Sequence, residues 1–183
     1  FKEKDFTAVK LHVGEHGNNT YLHPGCFQAL VRELKNLKTL PFATDTATLY
    51  AGRRNNAIEH AILAAEHGFD LSELGIPFIA TDGLYGTHET SVQVDGVLND
   101  TVSIASDILR CQSMLSIAHL TGHIAAGMGA TIKTLGMGCA SRKGKMRQHS
   151  ALKPSIGDEC TLCGDCFEHC PSDAITLGDV KAH

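Results

Sequence analysis

The chain has 183 residues, of which 43% are apolar and 20% charged, and a net charge of −4. That is ordinary globular usage, which excludes disordered, collagen-like and coiled-coil chains, and the length suits one domain of about 150 residues with a small appendage. No apolar run approaches the roughly 18 residues of a membrane span, and no stretch is dense in Lys and Arg. With 5% aromatic residues and no Trp, there is little to stack on bases. Neither a nucleic-acid nor a membrane partner is expected.

FTAVKLHV (6–13) reads as a buried strand that ends at Gly14. Pro24 opens a helix over PGCFQALVRELKNLK, where Phe27, Leu30, Val31 and Leu34 recur at helical spacing. LPFAT (40–44) is a second strand, ending at Asp45. Asn55 or Asn56 starts a second helix that Gly68 stops, with Ile58, Ile62 and Ala65 on one face. IPFIAT (76–81) is a third strand, ending at Asp82-Gly83. This β-α-β-α-β order predicts a mostly parallel sheet flanked by helices.

The pattern then changes. SVQV (91–94), Asp95-Gly96 and VLNDTVSIA predict a hairpin with a two-residue turn. A short helix follows over IASDILR, then a fourth buried strand, MLSIAH (114–119). A Gly-rich stretch leads to five basic residues, Arg142, Lys143, Lys145, Arg147 and Lys153, of which the stretch Arg142 to Arg147 is read as a solvated face or a docking patch for an acidic electron-transfer partner. Pro154 and Gly157 mark a linker, which divides the chain into an α/β domain (1–150) and a C-terminal module (151–183).

Four of the seven cysteines lie within residues 160–170. Cys160-x2-Cys163-x2-Cys166-x3-Cys170-Pro171 matches the ferredoxin run for a 4Fe–4S cluster. Three thiolates in a tight turn converge on one cubane, and Gly164 eases the backbone around it. Leu162, Phe167, Ala174 and Ile175 are expected to cover the cluster, and PSDAI to form a short helix. Zinc is the alternative, but it favours two separated CxxC pairs. In two-cluster ferredoxins the fourth cysteine serves the other cluster. Cys170 therefore calls for a second run, and a second cluster, in a longer chain of which this is a fragment; Cys26, Cys111 or Cys139 is the alternative fourth ligand for this one. Cys26, Cys111 and Cys139 otherwise read as core residues, and His60 and His67 as surface or capping residues.

The segments NNTYLHPG, ATDTATLYAGRRNNAIEHA, ATDGLYG and KTLGMGCASRKGKMRQHS resemble the domain-of-unknown-function 362 family, iron–sulfur proteins of mostly anaerobic bacteria and archaea. The resemblance covers nearly the whole chain. It implies an α/β domain with a ferredoxin-type module set into it, and more α/β sequence beyond. Where the family carries a Lys before Gly-His near the fourth strand, this chain has Thr121.

In open parallel sheets, ligands sit outside the carboxyl ends of the strands. The polar residues fall at those ends: His12, Gly14 and Glu15; Asp45, Thr46 and Thr48; Asp82 and Gly83; His119, Thr121, Gly122 and His123. Asp45, Thr46, Thr48, Asp82, Gly83 and Gly122 are the candidate ligand-binding residues for a small polar molecule. His12, His123 and Lys133 are the candidate catalytic ones. Turn and cap roles are the plain alternative for the Asp and Thr residues. The glycines of Gly127-Met-Gly129 before Lys133 favour an anion or, equally, close helix packing.

Three functions follow as expectations. The first is an iron–sulfur protein that passes electrons between a protein partner and a small ligand at the strand ends, as an oxidoreductase or a component of one. The second is a non-redox scaffold with a structural cluster. The third is a metal-assisted hydrolase or isomerase using His12, His119 and His123 with Asp45. Cluster cysteines point to a reducing cytoplasm.

Overall fold

The computed structural model describes residues 1–123, 126–150, 155–170 and 174–182. It divides into two units, Phe1–Ala151 and Leu152–His183.

The first unit is built on a four-stranded parallel sheet. Its strands are β1 (Phe6–Lys10), β2 (Leu40–Asp45), β3 (Phe78–Ala80) and β6 (Ser113–Ser116), in the order β3-β2-β1-β6. Val9 pairs with Ala43 on one side and Leu115 on the other. A parallel strand covered on both faces reads as a continuous apolar run, and residues 7–10 are all buried. Helices α1 (Gly25–Asn36) and α2 (Ala57–Glu66) pack on β2 and β3. Val9, Leu11 and Val13 meet Phe27, Val31, Leu34, Leu63, Ala64 and Phe69 in the main core.

Local chemistry sets the helix ends. The Asn56 side chain accepts the Glu59 N–H at 3.0 Å, an N-cap bond. Gly68, at φ +81°, stops α2 in a conformation that costs glycine little. The inward face of α2, however, is His60, Leu63 and Ala64, whereas Ile58, Ile62 and Ala65 are exposed. The apolar face read from the spacing is thus not the covered one: the helix is apolar on several sides, and contact with β3 selects which side is buried.

Antiparallel strands β4 (Glu89–Gln93) and β5 (Thr101–Ala105) form a separate hairpin. Its connection is longer than the expected two-residue turn, because Val94 N–H bonds Asp100 C=O at 2.8 Å and Gly96 has no positive φ. Helix α3 (Ser106–Arg110) follows, and β7 (Gly122–His123) pairs with β8 (Gly127–Met128). Helices α4 (Ala130–Gly136) and α5 (Arg142–His149) complete the unit. Ala105, Ile108 and Cys139 make a second small core with Ile104 and Leu135. No described helix is long and apolar enough to cross a membrane.

The second unit contains one short helix, α6 (Asp165–Glu168), and an isolated bridge between Leu177 and Ala182. Residues 171–173, most of the expected PSDAI helix, and 151–154 of the linker lie outside the described residues.

Candidate functional site

The carboxyl ends of the parallel strands open into a cavity of about 280 Å³. It lies where the open-sheet rule places a ligand. At its floor stands Asp45, the last residue of β2, 3% exposed. Its Oδ1 accepts Lys10 Nζ and Thr46 N–H, each at 2.9 Å, and its Oδ2 accepts Arg54 Nη2 at 2.9 Å. Burial alone would raise this acid, but Lys10 and Arg54 reverse the effect and hold it well below the ordinary carboxylate range. Lys10 is 1% exposed and also donates to Leu11 C=O at 2.8 Å.

Arg54 continues the network. Its Nη1 donates to Glu15, which also accepts the Tyr50 hydroxyl. Burial and the Glu15 bond push the Tyr50 phenol up to about 12, so it stays protonated. His60, fully buried beneath Asp45, has its Nε2 3.9 Å from Oδ2. Burial pushes it down to about 4, so the imidazole is neutral and both charges facing Asp45 come from Lys10 and Arg54. His60 is therefore neither a surface nor a capping residue. His67 bonds Val13 C=O at 2.7 Å and stacks on Tyr21.

Of the residues expected at the site, His12, Asp45, Thr48, His123 and Lys133 line the cavity, together with His119 and Thr121. Lys133 Nζ and His123 Nε2 are hydrogen-bonded, and His123 Nδ1 accepts Ala126 N–H at 3.1 Å. Thr46, Asp82, Gly83 and Gly122 do not line it. Thr46 is buried and donates to Gly138 C=O at 2.8 Å, so it ties β2 to the chain after α4. Asp82 is fully buried, and its Oδ2 accepts Ala47 N–H at 2.8 Å. Gly83 makes a turn at φ +76°, and Gly122 is an exposed strand residue.

Sequence reasoning missed Lys10, Arg54 and Lys145. A lysine inside the apolar run of β1 was a usable signal, since a buried charge needs a partner. Lys145 gave none, because it sits among Arg142, Lys143 and Arg147, yet it is 8% exposed and lines the cavity. Its Nζ donates to Thr46 Oγ1 and to Ala140 C=O at 2.8 Å. Burial pushes it down to about 8. The basic stretch is thus not wholly a solvated face. Neighbouring Gly144 packs on the Ser103 carbonyl, leaving no room for a Cβ and seating α5 against β5.

The second unit carries the cysteine run. Cys163 and Cys166 are exposed, and Cys160 and Cys170 partly so; none of the four is in a disulfide among the described residues. Gly164 (φ +85°) and Leu162 (φ +56°) both have left-handed backbone, which bends the chain between the cysteines. Amides of Ala182 and Leu162 hydrogen-bond the Cys160 sulfur and lower its pKa, and Ala174 N–H donates to Cys170 Sγ at 3.3 Å. Cysteine thiolates are the donor type that an iron–sulfur group takes. Among the described residues, no three His, Cys, Asp or Glu side chains stand together as a metal-binding group. Phe167 and Ala174, expected to cover a cluster, are exposed. Of the other cysteines, Cys139 is buried and its thiol raised by burial, Cys111 is half-buried, and Cys26 is exposed on α1 rather than in the core.

A parallel α/β sheet with a charged cavity at its strand ends, in a chain that also carries a cysteine-rich unit, defines the class. The match to the family model "Domain of unknown function (DUF362)" spans residues 7–176. The chain belongs to that family. No curated protein and no solved structure matches it.

Proposed function

We propose that the protein binds an iron–sulfur cluster and passes electrons between a protein partner and a small ligand held at the strand ends. The single observation that carries this reading is the Cys160-Cys163-Cys166-Cys170 run, with amide donors on the Cys160 and Cys170 sulfurs. Cys160, Cys163 and Cys166 would hold a 4Fe–4S cluster of the ferredoxin-like module, with Cys170 its fourth ligand or a ligand of a second cluster in a longer chain. Bound there, the group supplies single-electron transfer. A reducing cytoplasm keeps the thiols available.

The chain's own residues supply the rest. Lys10, Asp45 and Arg54 form an ion-paired floor to the cavity. His12, His123 and Lys133 bring exchangeable protons to its wall, as reduction of an organic ligand requires.

Anaerobic reconstitution tests the reading. Iron and sulfide should be taken up in equal amounts, with visible absorbance that dithionite bleaches reversibly and a paramagnetic signal in the reduced state. Cys163→Ala should abolish that signal. Protein that takes up no iron under these conditions, or holds zinc in its place, overturns it. A cluster that cannot be reduced would leave it structural and remove the electron-transfer role.

A further inference from the structure

We propose that the cavity takes a small organic dianion, an acid with two negative charges on an apolar body, and that Lys133 and Lys145 are its counter-charges. This rests on reading the cavity as the ligand site, and not on the cluster.

The argument is one of charge matching. Among the described residues, four cationic side chains line the cavity, Lys10, Arg54, Lys133 and Lys145, with one carboxylate, Asp45. Two of the four are already matched. Lys10 is paired with Asp45, and Arg54 bridges Asp45 and Glu15. Lys133 and Lys145 form no ion pair among the described residues. Lys145 contacts a hydroxyl and a carbonyl, and Lys133 contacts an imidazole. Neutral dipoles orient an ammonium group but do not neutralise it. Lys145 is buried and feels Asp45 and Asp82 only beyond ion-pair distance, and Lys133 is half-buried, so both have charge to offer a ligand. A ligand with two negative charges removes that imbalance.

The remaining wall gives the ligand its size and body. Leu22, Phe27, Ile117 and Met137 line the same cavity, so part of the ligand is apolar. A volume of about 280 Å³ is at the small end for ligand sites and too small for a dinucleotide. Arg54, the one guanidinium, is engaged by Asp45 and Glu15. The free charges are therefore ammonium groups, which act as point charges without imposing bidentate geometry.

Calorimetric titration of the intact chain tests this with succinate and phthalate, their neutral diamides, and inorganic phosphate. At least one dicarboxylate should bind saturably, and its diamide at least about tenfold more weakly, since each 1.4 kcal/mol of charge pairing is a factor of ten. Lys133→Gln and Lys145→Met should each weaken the dicarboxylate about tenfold, and Lys133→Arg should retain it. Lys133 is half-buried on α4, so its variants keep the test valid if Lys145→Met fails to fold. Phosphate that binds more tightly than either dicarboxylate, and is lost in the same variants, overturns the organic-acid assignment in favour of a phosphate group. Diamides that bind as well as the acids, and are excluded by Ala118→Trp on the cavity wall, overturn the dianion while the cavity stands as the ligand site. No saturable binding by any probe overturns both.

Discussion

The ends of β2 and β3 each bury an aspartate, and the two have opposite electrostatic fates. Asp45 and Asp82 are 3% and 0% exposed. Asp45 is met by Lys10 and Arg54 and is held well below the ordinary carboxylate range. Asp82 has one amide on Oδ2, while Oδ1 has no hydrogen-bond partner among the described residues, and burial raises its pKa against the opposing pull of that amide and Lys145. Similar burial thus gives opposite shifts, because desolvation favours the neutral acid and is outweighed at Asp45 by two bonded cations, whereas at Asp82 the amide bond and the more distant Lys145 do not outweigh it. Lys10 and Arg54 both bond the carboxylate at the β2 end, and that end opens into the cavity.

Breaking the charged end has the largest expected effect. Lys10→Met leaves Asp45 buried with one cation fewer, and urea unfolding should show a loss of about 3–5 kcal/mol, the usual cost of orphaning one partner of a buried pair. A loss below about 1 kcal/mol would mean that water or Arg54 replaces the ammonium group, and that the two ends differ less than their geometry indicates.

Acid titration sharpens the contrast further. Asp45 has a lowered folded pKa, so its contribution to stability is present above the ordinary carboxylate range and is lost as pH falls through the folded value. Asp82 has a raised folded pKa, so its contribution is present below that range and is lost as pH rises through the folded value. Thermal melts between about pH 3 and pH 7 should therefore show a shallower acid limb for Asp45→Asn than for the parent. Asp82→Asn should show a steeper one. Parallel limbs for all three proteins would contradict the assignment.

The smallest effect is expected at the β3 end near neutral pH. Asp82→Asn keeps an oxygen for the Ala47 N–H and removes a buried ionisable group with one unsatisfied oxygen. Its stability at pH 7 should lie within about 1 kcal/mol of the parent. A loss as large as that of Lys10→Met would show that Asp82 has a partner as strong as those of Asp45.

Much of the framework was legible in the residues. Strand β1, the Phe27-Val31-Leu34 face of α1 and the Asn56 cap follow from period and capping, which act over one or two turns of chain. The α2 face was not legible, because AIEHAILAAE offers apolar residues on more than one side, and His60 lies on the side that was covered. The hairpin turn misled for a related reason. Asp95-Gly96 suits a tight turn, but the register of β4 on β5 places the closing bond between Val94 and Asp100. At the cavity, His12, Asp45, Thr48, His123 and Lys133 were found by position at strand ends. Lys10 and Arg54 were not, because burial of a cation is visible only with its carboxylate in place.

Local order is enough to establish that strands alternate with helices, that the strands run parallel and that four cysteines share one short segment, since hydrophobic period, crossover handedness and residue spacing are properties of neighbouring residues. Charge pairing belongs to the folded chain. Lys10 reaches Asp45 across 35 positions and Lys145 reaches Thr46 across 99, and only after β1, β2 and α5 have packed does it emerge which ammonium groups find a carboxylate. Coulomb interaction in a low-dielectric interior depends on distance through space, which the order of residues along the chain does not contain.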